Sequence, residues 1–229
     1  MMARRGVLGL LAGGAAALLS GCGLFGGNSY RFRMTVEVET PQGLKTGSSV
    51  YSVLGFTTSE LITGGTSSDT EFKGEAAMVD LGGGRVLFAL LRMANWTSSD
   101  DNLAIMSMKA MDPDYDYNKK DSAQRIAAGR AIVSPAEVAP QDYPLLVTFK
   151  DMQDPTSLTR VDPANLAASF GPGVWLKRIV VEVTDDEVTA GIAERLPKPD
   201  PKGFFNWDGK SNPNEDDIFL ISDFIRRSK

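Results

Sequence analysis

Histidine is missing from all 229 residues, and cysteine occurs once. Without histidine there is no Ser-His-Asp or Cys-His relay and no imidazole metal site. A single cysteine excludes intramolecular disulfides and thiolate clusters. No Ser-x-x-Lys spacing occurs either, so a Ser-Lys hydrolase has no local signature. A basic excess is also lacking: 24 Lys and Arg stand against 29 Asp and Glu, for a net charge of −5. That balance opposes nucleic-acid binding, which needs a basic footprint. No cofactor motif emerges. Gly82-Gly83-Gly84 lacks the Lys-Ser or Lys-Thr that a phosphate loop requires, and reads as a hairpin turn.

What the chain does have begins at its N-terminus. Arg4 and Arg5 precede Val7–Leu19, a charge-free apolar run of 13 residues rich in glycine and alanine. A spanning helix needs about 20 residues, so the run fits a signal-peptide core better than a membrane anchor. It ends in Leu19-Ser20-Gly21-Cys22, where the only cysteine follows one aliphatic and two small residues. This resembles the lipobox of bacterial lipoproteins. The resemblance implies cleavage between Gly21 and Cys22, a diacylglycerol on the Cys22 sulfur and acylation of the freed amine. The alternatives are a plain secretory signal with an incidental cysteine, and an uncleaved anchor. Gly23 rather than Asp follows the cysteine, which by the same resemblance favours the outer membrane. Arg4-Arg5-Gly6-Val7-Leu8 is also similar to a twin-arginine export signal.

Loss of residues 1–21 removes two arginines and no acid, taking the net charge from −5 to −7. Residues 22–29 form a tether, and 30–229 are read as one domain with a possible insertion at about 93–140. Tyr30–Thr40 alternates, with Tyr30, Phe32, Met34, Val36 and Val38 on one face and Arg31, Arg33, Thr35, Glu37 and Glu39 on the other. That is a half-buried strand. Ser48–Phe56 is its predicted hairpin partner, and the Thr, Ser and Gly-rich stretch 57–74 reads as a long loop. Glu75–Leu81 and Arg85–Arg92 form a second predicted hairpin, with Val86–Leu91 apolar on both faces as in a central strand. Leu103–Ala110 and Ser122–Arg130 read as helices over the sheet.

Further along, Tyr143–Phe149 reads as a strand with Tyr143, Leu145, Val147 and Phe149 on one face. A helix is predicted from Asp162-Pro163 to Phe170, and a strand over Val174–Thr184 with Trp175, Ile179, Val181 and Val183 together. A helix is predicted for Glu187–Leu196, with the stretch 197–214 irregular; Ile218–Ile225 reads as helix or strand, with Asp216 and Asp217 before it and Arg226 and Arg227 after it favouring a helix. The expected class is α+β, built mainly on antiparallel hairpins with a few short helices on or beside the sheet.

Thr35–Pro41, Gly171–Ile179, Val188–Ile192 and Arg195-Leu196-Pro197 together resemble an uncharacterised family of bacterial lipoproteins. The resemblance implies a lipid-anchored envelope protein and carries no activity, ligand or catalytic residue.

Among the remaining residues, Asp112, Asp114, Asp116 and Asn118 have the alternate spacing that opens a calcium loop. Tyr117 stands where glycine is needed and Ala123 where a bidentate glutamate is needed, so a solvated acidic loop is expected. Met106, Met108 and Met111, with Met93, could in principle offer soft thioethers to Cu(I), but core packing is the expected role. No metal site is therefore assigned. Trp175, Phe204, Phe205 and Trp207 are candidate partner-binding aromatics, since aromatic residues dominate interface hot spots. The expected function is a non-enzymatic, lipid-anchored lipoprotein on the periplasmic face of the outer membrane. Its partners would be the membrane, through the acyl chains on Cys22, and another envelope component. The alternative is an envelope hydrolase using paired carboxylates or a Ser-Lys pair.

Overall fold

Strand β1 (Ser29–Thr40) buries every second residue: Tyr30, Phe32, Met34, Val36 and Val38 face inward. The period-two pattern dictates this, because burying one face of a strand requires apolar side chains at alternate positions. A computed structural model describes residues 29–59, 66–95, 103–119, 121–130, 132–205 and 219–227. Cys22, the tether and Trp207 lie outside the described residues.

Three layers are stacked. The first is a six-stranded sheet in the order β12-β3-β2-β1-β9-β6, made of β2 (Gly43–Ser59), β3 (Thr66–Glu75), β6 (Ala136–Glu137), β9 (Trp175–Val183), β12 (Ile225–Arg226) and β1. The second is a four-stranded sheet in the order β4-β5-β7-β8, from β4 (Ala77–Gly82), β5 (Arg85–Met93), β7 (Pro144–Phe149) and β8 (Leu158–Arg160). Every strand pair in both sheets is antiparallel. The third layer holds β10 (Phe204–Phe205), β11 (Phe219–Leu220) and the one-turn helix α4 (Ile221–Phe224). The protein is thus an α+β fold dominated by antiparallel strands.

β5 explains the stacking. Leu87, Ala89 and Leu91 join the core between the two sheets, while Phe88 and Leu90 join a second core beneath the C-terminal elements. Phe88, Phe149, Phe205 and Phe224 pack there with ring centroids 5.1–6.1 Å apart. β7 behaves likewise, with Leu145, Val147 and Phe149 in the second core and Leu146 in the first; Tyr143, expected beside the former set, lies in the first. The two sheets nearly touch at Gly47. A Cβ built there would lie 2.0 Å from the carbonyl oxygen of Met78, so only glycine fits between β2 and β4.

Helices α1 (Leu103–Met111) and α2 (Ser122–Ala127) add to the first core. Met93, Met106, Met108 and Met111 are all buried there, as core-filling thioethers. The Tyr30 hydroxyl meets Ser107 Oγ at 2.8 Å, joining β1 to α1.

Several expectations change. The stretch 57–74 is not a loop: β2 runs to Ser59 and β3 starts at Thr66, paired in continuous register. Hydrophobic alternation reports burial, whereas a backbone ladder needs none, and threonine favours extended backbone. Glu187–Leu196 is not an α-helix and holds only a 3₁₀ turn at Ile192–Glu194. Thr189 is drawn onto β2 by its N–H, which donates to the Val50 carbonyl, and by its Oγ1, which accepts from the Val50 N–H. Gly191 then turns at φ 111°. Asp162 caps a turn, accepting from the Ala164 N–H, and the helix α3 is confined to Ala167–Phe170. The segment read as a helix up to Ile225 is split into β11, α4 and β12, because Ile225 and Arg226 pair with β3.

Burial pushes the phenols of Tyr30 and Tyr51 well above their ordinary value. An unfolded tyrosine ionises near pH 10. Above that pH the unfolded chain loses two protons that the folded chain retains, so stability falls as pH rises. The expected slope is about 2–3 kcal/mol per pH unit beyond pH 10, and Tyr30→Phe should roughly halve it. Urea denaturation from pH 8 to pH 11 measures this; stability flat above pH 10 would contradict it.

Candidate interaction surface

The outward face of β1 carries Arg31, Arg33, Thr35, Glu37 and Glu39, and its charges are met from β9. Arg178 donates twice to Glu37, from Nε and Nη2 at 3.0 Å each. Lys177 Nζ lies 3.2 Å from Glu39 and 3.9 Å from Glu37. Arg33 donates to Glu182 at 2.8 Å and also pairs with Asp186. The Arg178 hydrogen bonds are the main reason the Glu37 carboxyl sits below its usual range. Glu37 and Glu39 therefore form a charge-matched lattice with cations, and the lowered Glu37 carboxyl is not set up as the proton-donating member of a hydrolytic acid pair.

A bulge produces part of this arrangement. Glu37 pairs with Arg178 but Val38 pairs with Leu176, so Lys177 is the extra residue on β9. A bulge bends the strand and breaks the side-chain alternation. Ile179 and Val181 stay fully buried, while Trp175 moves to the outward face, where it is 53% exposed. The expectation that Trp175 shares a face with Ile179, Val181 and Val183 fails for this reason. Nothing in the local composition marks a bulge, so the alternation misleads at this one position.

Trp175 lies opposite Glu39, and Glu39 lies opposite Leu44, which is 45% exposed. The row Leu44–Glu39–Trp175 crosses three adjacent strands at one end of the open face. Leu44 is the contributor that sequence reasoning missed; its position two residues beyond the turn Pro41–Gln42 is the signal that could have found it. Further along the same face, Thr184–Thr189 crosses from β9 to the far edge of β2, anchored by Asp186 on Arg33 and Thr189 on Val50. This strap leaves Val50 only 6% exposed, so the face is open mainly toward the Trp175 end.

The other candidates separate. Phe205 is fully buried against Phe149, which removes it as a partner-binding residue; Phe204 is half-buried. Their position on β10, paired with β11 in the C-terminal layer rather than in an irregular segment, accounts for this. The acidic run does not converge. Asp112 is buried and accepts from Arg125 Nη2 at 2.5 Å, while Asp112 and Asp116 each accept from the backbone N–H two residues on. Among the described residues no group of three or more acidic or cysteine side chains is placed to hold a metal ion. Met106, Lys109, Glu137, Val138 and Asp142 line a depression of about 120 Å³. It is smaller than the roughly 300 Å³ at which ligand pockets begin, and Lys109 and Asp142 close on each other across it at 2.7 Å.

Comparison of the chain with protein-family models, with curated proteins and with solved structures finds no match.

The contrast between the two aromatics is measurable. Trp175→Ala should change stability by less than about 0.5 kcal/mol, as for an exposed side chain, whereas Phe205→Ala should cost about 3–5 kcal/mol. Thermal or urea unfolding of both variants tests the assignment, and a large loss for Trp175→Ala would refute it.

Proposed function

We propose that this protein is a lipid-anchored lipoprotein of the bacterial envelope that works by binding, with the Leu44–Glu39–Trp175 row as its docking surface. The anchor rests on the lipobox, in which the chain's only cysteine stands at the acylation position. The binding role is carried by one observation, the bulge that turns Trp175 out of the core onto an otherwise charge-paired face. Covering the exposed half of an indole removes roughly 100 Å² of apolar surface, about 2–3 kcal/mol. Because the neighbouring charges are already paired within the protein, the binding energy would come from this apolar end.

The row stands far from the tether. Ser29 and Glu39 are ten residues apart along β1, roughly 34 Å at strand rise. The proposed surface thus belongs to the end of the sheet away from the acylated N-terminus. There it meets a second envelope component rather than the protein's own anchor lipids. The resemblance to lipoproteins, with Gly23 rather than Asp after Cys22, supports an outer-membrane location with the domain on the periplasmic side.

Two variants test the reading. Cys22→Ser should leave an uncleaved, non-acylated chain, detected by loss of incorporated radiolabelled fatty acid and a mass larger by residues 1–21. Labelled, cleaved protein from this variant would refute the anchor. For the surface, a photo-crosslinking residue at position 44 should give one discrete adduct in intact cells. Trp175→Ala should weaken that adduct by about 30-fold or more; an adduct indifferent to the substitution would refute the docking site.

A further inference from the structure

The outward face surrounds Trp175 with neighbours of different chemistry. Glu39 and Leu44 follow it across the sheet at about 4.8 Å per strand. Lys177 stands beside it at the bulge, and one row further along Thr46, Glu37 and Arg178 lie opposite one another. In that second row Arg178 takes both Glu37 oxygens. Beside Trp175 the pairing is incomplete. Lys177 Nζ meets Oε1 of Glu39, and Oε2 has no partner among the described residues. An ammonium carries three donors, so Lys177 keeps a proton to give as well. The exposed indole is thus flanked by an open acceptor and an open donor.

Charge selects among occupants. Arg33, Lys177 and Arg178 each lie against a carboxylate. A polyanion finds none of these cations unneutralised, and a polycation would have to displace one. Size selects further. The exposed parts of Trp175 and Leu44 amount to roughly 200 Å² of apolar surface. A stable protein–protein interface buries about 800 Å² on each side, more than half of it apolar. The patch is too small for that and large enough for one sugar ring. A pyranose presents an apolar C–H face, which an aromatic ring covers, and a rim of hydroxyls that both donate and accept.

We propose that the partner met by the Leu44–Glu39–Trp175 row is an uncharged glycan, the polysaccharide backbone of the cell wall. One pyranose ring stacks on the Trp175 indole, and its hydroxyls bond to Glu39 and Lys177. This rests on the docking reading above and names its occupant. Leu44 lies about 10 Å from Trp175, two strand spacings away, so a linear chain laid along the row passes over Glu39 and reaches Leu44 with a later ring. Contact with a single ring is weak. The wall repeats that ring many times, and a protein tethered beside it rebinds at high effective concentration. No net charge is exchanged, so the contact is expected to be insensitive to salt.

The test places the acylated full-length protein, in detergent, on cell-wall sacculi stripped of protein. It should sediment with them equally in dilute buffer and in about 0.5 M NaCl, and the soluble tetramer of N-acetylglucosamine should compete. Trp175→Ala should weaken retention by about 30-fold, and Trp175→Phe by far less, since a phenyl ring still stacks. Full retention of Trp175→Ala, loss of retention in salt, or no retention at all overturns the glycan. The photo-adduct at position 44 separates that failure from failure of the docking surface. With a wall glycan, muramidase digestion should shrink the adduct to an increment of a few sugar rings. An adduct that keeps a protein-sized mass and still depends on Trp175 overturns the glycan and leaves the docking surface standing. An adduct indifferent to Trp175, with no retention on sacculi, overturns both.

Discussion

A sheet that is apolar on both faces needs two covers, and β5 and β7 impose that condition on everything around them. Leu87, Ala89 and Leu91 demand one partner layer, and Phe88, Leu90, Val147 and Phe149 demand another. The six-stranded sheet meets the first demand. The second is met by elements too short to hold together alone: two two-residue strands and a one-turn helix. A single helical turn is far below the length at which a helix is stable in water, so α4 exists because Phe224 and its neighbours are packed. The C-terminal layer is therefore a consequence of the four-stranded sheet rather than an independent unit.

The join between layers is made at Glu75 and Ala76. Glu75 ends β3 in one sheet, and Ala77 begins β4 in the other. Such a corner strands backbone groups away from any ladder, and they must be satisfied otherwise. The Glu75 carbonyl accepts from Ser49 Oγ at 2.7 Å, its carboxylate accepts from the Ile192 N–H at 2.7 Å, and the Ala76 N–H donates to the Phe224 carbonyl at 2.8 Å. One buried acidic side chain thereby ties the strap after β9 to the corner. It also explains why the segment around Ile192 is irregular: its N–H is claimed by Glu75 instead of a helical carbonyl.

What could be read from the residues follows the same logic. β1, β5 and the Gly82–Gly84 turn were legible because burial writes itself into side-chain pattern and glycine into positive φ. The β2–β3 pairing beyond Leu54 was not legible, since its Thr and Ser residues carry no apolar alternation. The segment around Ile192 was misread as a helix because its local propensity is overruled by Val50 and Glu75, and the helix at Ile221–Phe224 was drawn too long because Ile225 pairs with Glu75. In the candidate surface, Trp175 could be named but not oriented. The bulge at Lys177 depends on pairing with Glu37 and Val38, more than 130 residues away in sequence.

The bulge has a physical justification that the rest of the face supplies. Two adjacent cations on β9, Lys177 and Arg178, are both brought to the outward side, where Glu37 and Glu39 share one strand face. In regular alternation one of the two would point into the core, at a desolvation cost no exposed ion pair could offset. Placing both outside transfers the mismatch to Trp175, whose indole tolerates water far better than a buried ammonium tolerates hydrocarbon. Charge matching on the face and exposure of the aromatic residue are thus two results of a single shift in register. A partner at this end would meet a rigid lattice with no unpaired cation among Arg33, Lys177 and Arg178, and one broad apolar side chain. With the cations of this face already paired within the protein, recognition there would depend on shape and contact more than on salt-dependent steering.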